Sequence, residues 1–370
     1  MPDNKLYCVS FHSVKGGVGK STLSWLAATM LARKYPTLLV DMDLTGTSLA
    51  DVFPLRAPRL AERGMKLVLE DRPTAGFLSL AESRTGMERR AQEQDPVAKH
   101  VPFLNDDFLF EQNRFDASRD TCPGALSWQL DTQDETIRNN LRVVPSSALP
   151  NDLCRILPII YDESYAGFLE ARLEWFLART IEQSPVRHVV FDSPPTIPGL
   201  SAALLSLSMR LPERIGLTRE GWNDTPSALR EARTHWVPVL VTTPDLQDLR
   251  AADRWLRDLN AKEQARVLVA VNRSRSDDPA AVAHALRSRL AEATNIAFGL
   301  DFSKGPLAPE VFSYDGVMVR EDRVPNRLVA VPDSEALQMF QADVRDTPSD
   351  TEGIEQILSQ LDASSNATPI

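Results

Sequence analysis

Cysteine is scarce in this chain. Cys8, Cys122 and Cys154 are the only three, scattered and without C-x-C or C-x-x-C spacing, which excludes a disulfide framework. The five histidines, His12, His100, His188, His235 and His284, show no metal-ligand spacing and read as packing or surface residues. No apolar run approaches the roughly 18 to 20 residues that a membrane span requires. The N-terminus lacks the charged, apolar and small-residue regions of a secretory signal, so the expectation is a cytosolic protein. Positive charge is also in deficit. With 41 Lys and Arg against 51 Asp and Glu the formal charge is −10, which disfavours a surface coated by nucleic acid and leaves room only for a local basic face.

What is present is an ordinary globular composition, 43% hydrophobic over 370 residues, enough for a sizeable core in one large α/β domain or two smaller ones. The chain is organised around Ser13-Val14-Lys15-Gly16-Gly17-Val18-Gly19-Lys20-Ser21-Thr22. It follows an apolar, strand-like run, Leu6–Phe11, and precedes Leu23–Leu31, which has helical periodicity. That strand, loop and helix context is the one a phosphate-binding loop requires. Its three glycines let successive N–H groups turn inward at the positive end of the following helix. Lys20 would bring a charge to the β- and γ-phosphates of a nucleotide, and the Ser21 hydroxyl is placed to bind Mg²⁺. The competing reading is a Gly/Lys-rich solvent loop at the end of a strand.

The usual first glycine of this loop is Val14 here, and a second lysine, Lys15, stands beside it. K-G-G-x-G-K-[ST] is the deviant Walker A signature, so the chain resembles the ParA/MinD family of P-loop ATPases. The resemblance implies that Lys15 crosses a dimer interface to the partner's nucleotide. It implies ATP and Mg²⁺ as cofactors, with Gly16, Gly17, Val18, Gly19, Lys20, Ser21 and Thr22 lining the phosphates. Related cluster carriers hold iron and sulfur through paired cysteines, which this chain lacks.

Thr37–Val40 reads as a second buried strand ending in Asp41 and Asp43, which alternation puts on one side. The resemblance makes this switch I, with Asp43 orienting the attacking water. The plain alternative is two aspartates ending a strand in solvent. His188–Phe191 delivers Asp192 to the carboxyl end of another apolar strand, where a carboxylate can hold the Mg²⁺ shell. Asp192-Ser193-Pro194-Pro195 resembles Walker B and switch II, stiffened by its prolines. Arg266–Val271 ends in Asn272, which the resemblance assigns to reading adenine, an amide matching both edges of that base. An asparagine closing a strand at a turn is the alternative.

Elsewhere the pattern is weaker. A short amphipathic helix is expected around Gly76–Ala81, and periodicity is lost from about Thr85 to Asn140, which reads as an insertion rich in aromatics (Phe103, Phe108, Phe110, Phe115, Trp128). Those aromatics either pack on the core or dock a protein partner. Tyr165–Ile181 has the spacing of a core helix. Arg250, Arg254 and Arg257 share one helical face and could grip duplex phosphates, or form a solvated face offset by Asp253 and Asp258. From Asp333 on there is one basic residue, Arg345, against eight acidic ones, so the basic amphipathic helix that ends membrane-positioning relatives is absent.

Taken together these readings predict a doubly wound α/β fold, a mostly parallel sheet with helices on both faces. One ATPase domain would span 1–330, with the insertion at about 85–140 and a helical extension and polar tail at 331–370. The expected function is an ATP-hydrolysing switch that forms a sandwich homodimer, positions or partitions a partner complex, and is stimulated by a protein partner, with non-specific DNA as a further candidate. The alternatives are an ATP-dependent synthetase of the dethiobiotin-synthetase type, against which Lys15 speaks, and a module that binds ATP without turnover.

Overall fold

The computed structural model describes residues 5–46, 48–59, 61–63, 66–68, 76–92, 101–109, 126–195, 198–214, 227–259, 266–274, 328–332, 354–355 and 357–361. The chain divides into two compact units. The first takes residues 1–8, 28–235 and 343–345, the second 9–27, 236–342 and 346–370.

The strands, in chain order, are β1 (Lys5–His12), β2 (Thr37–Asp41), β3 (Leu55–Arg56), β4 (Ala61–Arg63), β5 (Lys66–Val68), β6 (Trp128–Leu130), β7 (Leu141–Val144), β8 (His188–Asp192), β9 (Arg233–Thr242), β10 (Leu268–Ser274) and β11 (Leu328–Pro332). The helices are α1 (Lys20–Ala32), α2 (Leu49–Val52), α3 (Leu80–Gln92), α4 (Leu104–Leu109), α5 (Glu135–Asn140), α6 (Pro150–Tyr161), α7 (Ala166–Gln183), α8 (Pro198–Arg210), α9 (Ser227–Glu231) and α10 (Leu246–Asp258). β1, α1 and β9 each run through both units.

In the first unit the strand order is β1-β8-β2-β7-β6-β3. β2 pairs in parallel with both β7 and β8, whereas β6 and β3 add antiparallel strands at the edge. The centre of this sheet is apolar on both faces, with Leu38, Leu39, Val40, Val143, Val189, Val190 and Phe191 all buried. Such continuous runs are what a parallel sheet covered on both sides demands. α7 contributes Leu169, Leu173, Phe176 and Leu177 to the core, while Phe168, which its sequence spacing puts on the same face, is half-buried. At the amino ends of the strands the rings of His235, Tyr7, His188 and Tyr35 stack in series, with centroids 5.2, 5.0 and 4.5 Å apart. Cross-strand ring pairs of this kind help to fix the pairing of neighbouring strands. In the second unit the order is β11-β10-β9-β1, with β10 parallel to both β9 and β11.

The stretch without sequence period is ordered where it is described. The helix expected around Gly76–Ala81 instead begins at Leu80 and continues to Gln92. Ser79 and Glu82 explain the start, because the Glu82 N–H donates to Ser79 Oγ (3.2 Å) and the Ser79 N–H donates to Glu82 Oε2 (2.7 Å). This is a capping box, legible in the sequence as Ser-x-x-Glu. Phe103, Phe108 and Trp128 are buried, with the Trp128 indole N–H donating to the Pro102 carbonyl (2.8 Å). The packing alternative therefore holds for these three; Phe110 and Phe115 lie outside the described residues.

Arg90 explains why this segment is fixed. Its guanidinium, 2% exposed, donates to both oxygens of Asp106 (2.9 and 2.7 Å) and both of Asp152 (2.8 and 3.0 Å), and also to the Val101 carbonyl (2.9 Å). α3, α4 and α6 are thus tied by one buried cation. Burial opposes its charge, but Asp106 and Asp152 more than offset that and hold the group above the ordinary arginine range. Arg172 to Asp107 (2.8 Å) makes a second buried pair between α7 and α4.

Candidate nucleotide site

The second unit carries the glycine-rich loop between β1 and α1. Gly17 and Gly19 have φ of +81° and +87°, a conformation that disfavours any side chain with a Cβ. A Cβ on Gly16 or Gly17 would meet nothing within 4 Å, so the loop is open at these two positions, whereas at Gly19 it is packed against Asn272. Lys20 is the first residue of α1 and is buried, and the Leu23 N–H donates to the Gly19 carbonyl (3.1 Å) as the helix begins. No acidic residue occupies the first turn of α1, which leaves the positive helix end unopposed. A glycine-rich loop open at Gly16 and Gly17 that leads into a helix beginning at a lysine suits a polyphosphate.

Lys15, the second lysine, lies on α10 in this single chain. Its Nζ is 3.3 Å from Asp248 Oδ1 and donates to Gln247 Oε1 at 3.3 Å. Asp248 is held in turn by Thr243, whose hydroxyl donates to Oδ2 (2.6 Å). Asn272 stands at the end of β10 with both functions of its amide engaged: Nδ2 donates to the Val18 carbonyl (2.8 Å), and Oδ1 accepts from the Arg273 N–H (2.9 Å). On α10 Arg254 is exposed and Arg250 half-buried, while the Arg257 side chain lies outside the described residues. Of the two aspartates on the same helix, Asp253 is buried and Asp258 is exposed.

One residue the sequence did not mark is His12, the last of β1. Its Nε2 is hydrogen-bonded to the Ser10 hydroxyl (2.8 Å), and Ser10 Oγ accepts from the Trp236 indole N–H (2.9 Å). Burial and then the charge of Lys20 push the imidazole down to about 3.

The first unit carries the carboxylates. Asp41 and Asp192 are register partners at the carboxyl ends of β2 and β8, and both are buried. Asp41 accepts from the Leu49 N–H (3.0 Å) and the Ser146 hydroxyl (2.8 Å). Burial, then the charge of Asp192, raise it to about 7 against those hydrogen bonds. Ser146 belongs to the Pro-Ser turn after β7, and nothing in the local sequence pattern gave it this role. Asp43 is half-buried in the following turn, its Oδ1 accepting from Thr45 Oγ1 (3.2 Å). A Cβ on Gly46 would come within 2.9 Å of the Asp43 carboxylate, so glycine there is a condition of its position. Two adjoining buried carboxylates suit a hard divalent cation that keeps part of its water shell, as Mg²⁺ does. Among the described residues no group of three or more His, Cys, Asp or Glu forms a metal site of protein ligands alone.

The two perturbed groups have opposite linkage. His12 is protonated in the unfolded chain below about 6.5 but folded only near 3, so its contribution is complete above pH 6.5 and is lost as pH falls. Asp41 holds its proton to about 7 when folded, so its contribution is present below pH 4 and is lost as pH rises to 7. In chelator and without nucleotide, the stability difference between wild type and His12→Gln should shrink by about 1.4 kcal/mol per pH unit below 6.5. The difference between wild type and Asp41→Asn should move the other way. Denaturant unfolding across this range checks both signs.

The fold is an α/β sheet, mostly parallel, with a glycine-rich loop between β1 and α1. Residues 5–75 match the ParA family model, described as NUBPL iron-transfer P-loop NTPase. Over that segment the resemblance to the ParA/MinD family holds. No curated protein matches the chain. Solved structures similar to it include a putative plasmid partition protein from Borrelia burgdorferi bound to AMPPNP, with 13% identity, TM-score 0.48, and coverage of 97% of this chain and 99% of that one. Apo McdA from Cyanothece has 13% identity and TM-score 0.49, covering 96% and 99%. The cell division ATPase MinD of Pyrococcus furiosus has 14% identity and TM-score 0.45, covering 96% and 97%. No helix among the described residues is long and apolar enough to cross a membrane.

Proposed function

We propose that this chain is an ATP-binding and ATP-hydrolysing switch that dimerises around its nucleotides and controls the positioning, partitioning or assembly of a partner complex. The observation that carries the reading is the glycine cradle with a second lysine, Lys15, at its first glycine. Gly16, Gly17, Val18 and Gly19 would wrap the phosphates with backbone N–H groups, with Thr22 in the first turn of α1. Lys20 would neutralise the β- and γ-oxygens. Ser21 and Asp192 would hold Mg²⁺, which when bound offsets the charge on the transferring phosphoryl group. Asp43 would orient the attacking water, and Asn272 would face adenine with its second N–H and second lone pair. Catalysis of this kind is mostly positioning and charge stabilisation, which suits such a set of groups.

In the dimer Lys15 would leave α10 for the partner's phosphates. Its pair with Asp248 is exposed, with 41% of the lysine side chain accessible, and such surface pairs are worth about 0–1 kcal/mol, a small cost for release. A partner protein is proposed to stimulate turnover. Duplex DNA is a candidate cargo through Arg250 and Arg254.

Light-scattering mass with Mg²⁺ and ATP tests the switch. Asp43→Ala should bind ATP without hydrolysing it and accumulate as a dimer. Lys15→Ala should bind ATP through Lys20 and stay monomeric. Equal masses for both variants and wild type, with or without ATP, would favour the synthetase. In a second arm with duplex DNA, the dimer's binding should weaken with salt and with Arg250→Ala plus Arg254→Ala; salt-insensitive binding would remove DNA from the proposal.

A further inference from the structure

In the sequence Asn272 reads as a base reader or as an asparagine closing a strand at a turn, and in the fold its side chain meets the glycine-rich loop. The side chain is 6% exposed, and its Nδ2 donates to the Val18 carbonyl at 2.8 Å. Its other end is fixed, since Oδ1 accepts from the Arg273 N–H (2.9 Å). Arg273 itself has φ of 56°, the left-handed region that non-glycine residues rarely enter, and it is the only non-glycine residue with positive φ among the described residues. The amide is therefore clamped at both ends. It also lies against the loop backbone, because a Cβ on Gly19 would fall 2.1 Å from Asn272 Nδ2. No side chain larger than hydrogen fits at Gly19 while Asn272 keeps this place.

The consequence follows from peptide geometry. In a trans peptide the carbonyl and the next N–H point in opposite directions. Drawing the Val18 carbonyl towards Asn272 turns the Gly19 N–H away from it. That N–H belongs to the glycine directly before Lys20, in the loop whose amides a polyphosphate would engage.

We propose that Asn272 is a positioning residue of the phosphate cradle: its carboxamide sets the Val18–Gly19 peptide so that the Gly19 N–H is presented to phosphate, whatever base the nucleotide carries. This rests on the cradle reading above and goes beyond base recognition. One N–H and one lone pair of the amide remain for a base, so a single side chain links the base end of a nucleotide to its phosphate end.

Inorganic tripolyphosphate, which has no base, separates the roles. Binding of ATP, GTP and tripolyphosphate to the full chain is measured by calorimetry for wild type, Asn272→Ala and Asn272→Leu, the last keeping the side-chain volume without the donor. Loss of the peptide's anchor should weaken all three ligands by similar factors of up to about tenfold, the worth of one hydrogen bond. Amide exchange of the 13–22 segment in nucleotide-free protein should accelerate in both variants. Unchanged tripolyphosphate affinity in a folded variant, whether ATP binding weakens alone or no ligand is affected, overturns the proposal. Lys20→Ala is the control for the cradle itself. If it keeps full tripolyphosphate affinity, the phosphate reading of the loop fails, whereas loss in Lys20→Ala with none in the Asn272 variants refutes only the positioning role.

Discussion

Lys20→Ala is expected to abolish ATP binding. Lys20 is buried at the first residue of α1, directly after the glycine-rich loop, and alanine there would leave no side-chain charge to meet a phosphate. A charge bridging two phosphates stands for about two charge-assisted hydrogen bonds, each worth roughly 1.5–3 kcal/mol, so affinity should fall by at least about a hundredfold. Calorimetry of the variant, with circular dichroism to show that it is folded, is the measurement. Undiminished affinity would sink the nucleotide assignment altogether, and with it every role given to Lys15, Asp43 and Asp192.

The second large effect is on folding. Arg90→Leu leaves Asp106 and Asp152 inside the protein without their shared cation, and breaking a buried pair in this way costs about 3–5 kcal/mol. Some compensation remains, because Asp106 accepts from the Phe103 N–H (2.9 Å) and Asp152 accepts from the Ser147 hydroxyl. Replacing all three charged residues by apolar ones of similar volume should recover most of the loss, since an ion network pays heavily in desolvation. Denaturant unfolding of the single and triple variants tests this. A single variant within about 1 kcal/mol of wild type would mean that α3, α4 and α6 are held by their apolar contacts instead.

The site was legible where chemistry and local geometry coincide. Gly16 to Thr22 carries its own instructions, because left-handed glycines, a lysine and a hydroxyl at fixed spacing can be read without knowing any neighbour. Asp41 and Asp192 were placed at strand ends by apolar runs that lead into them. The region from 85 to 140 was not legible by period. Its described parts are tied by Arg90, Asp106, Asp107 and Arg172, and an ion pair between residues about 60 positions apart leaves no pattern in a local window. The Ser79–Glu82 capping box was visible in principle and would have placed the start of α3.

By itself the sequence determined the α/β class, the glycine-rich loop between β1 and α1 and the strands that end in carboxylates, since each depends on residues within a few positions of one another. Tertiary structure alone decided the rest. It set Asp41 beside Asp192, where burial and then the neighbouring charge lift its proton affinity. It buried His12 as a neutral ring, rested Lys15 on Asp248, and turned Asn272 onto the Val18 carbonyl 254 residues away. The physical reason is common to all four: the dielectric surroundings and hydrogen-bond partners of a polar group are fixed by the segments that pack against it, and sequence spacing does not encode which segments those are.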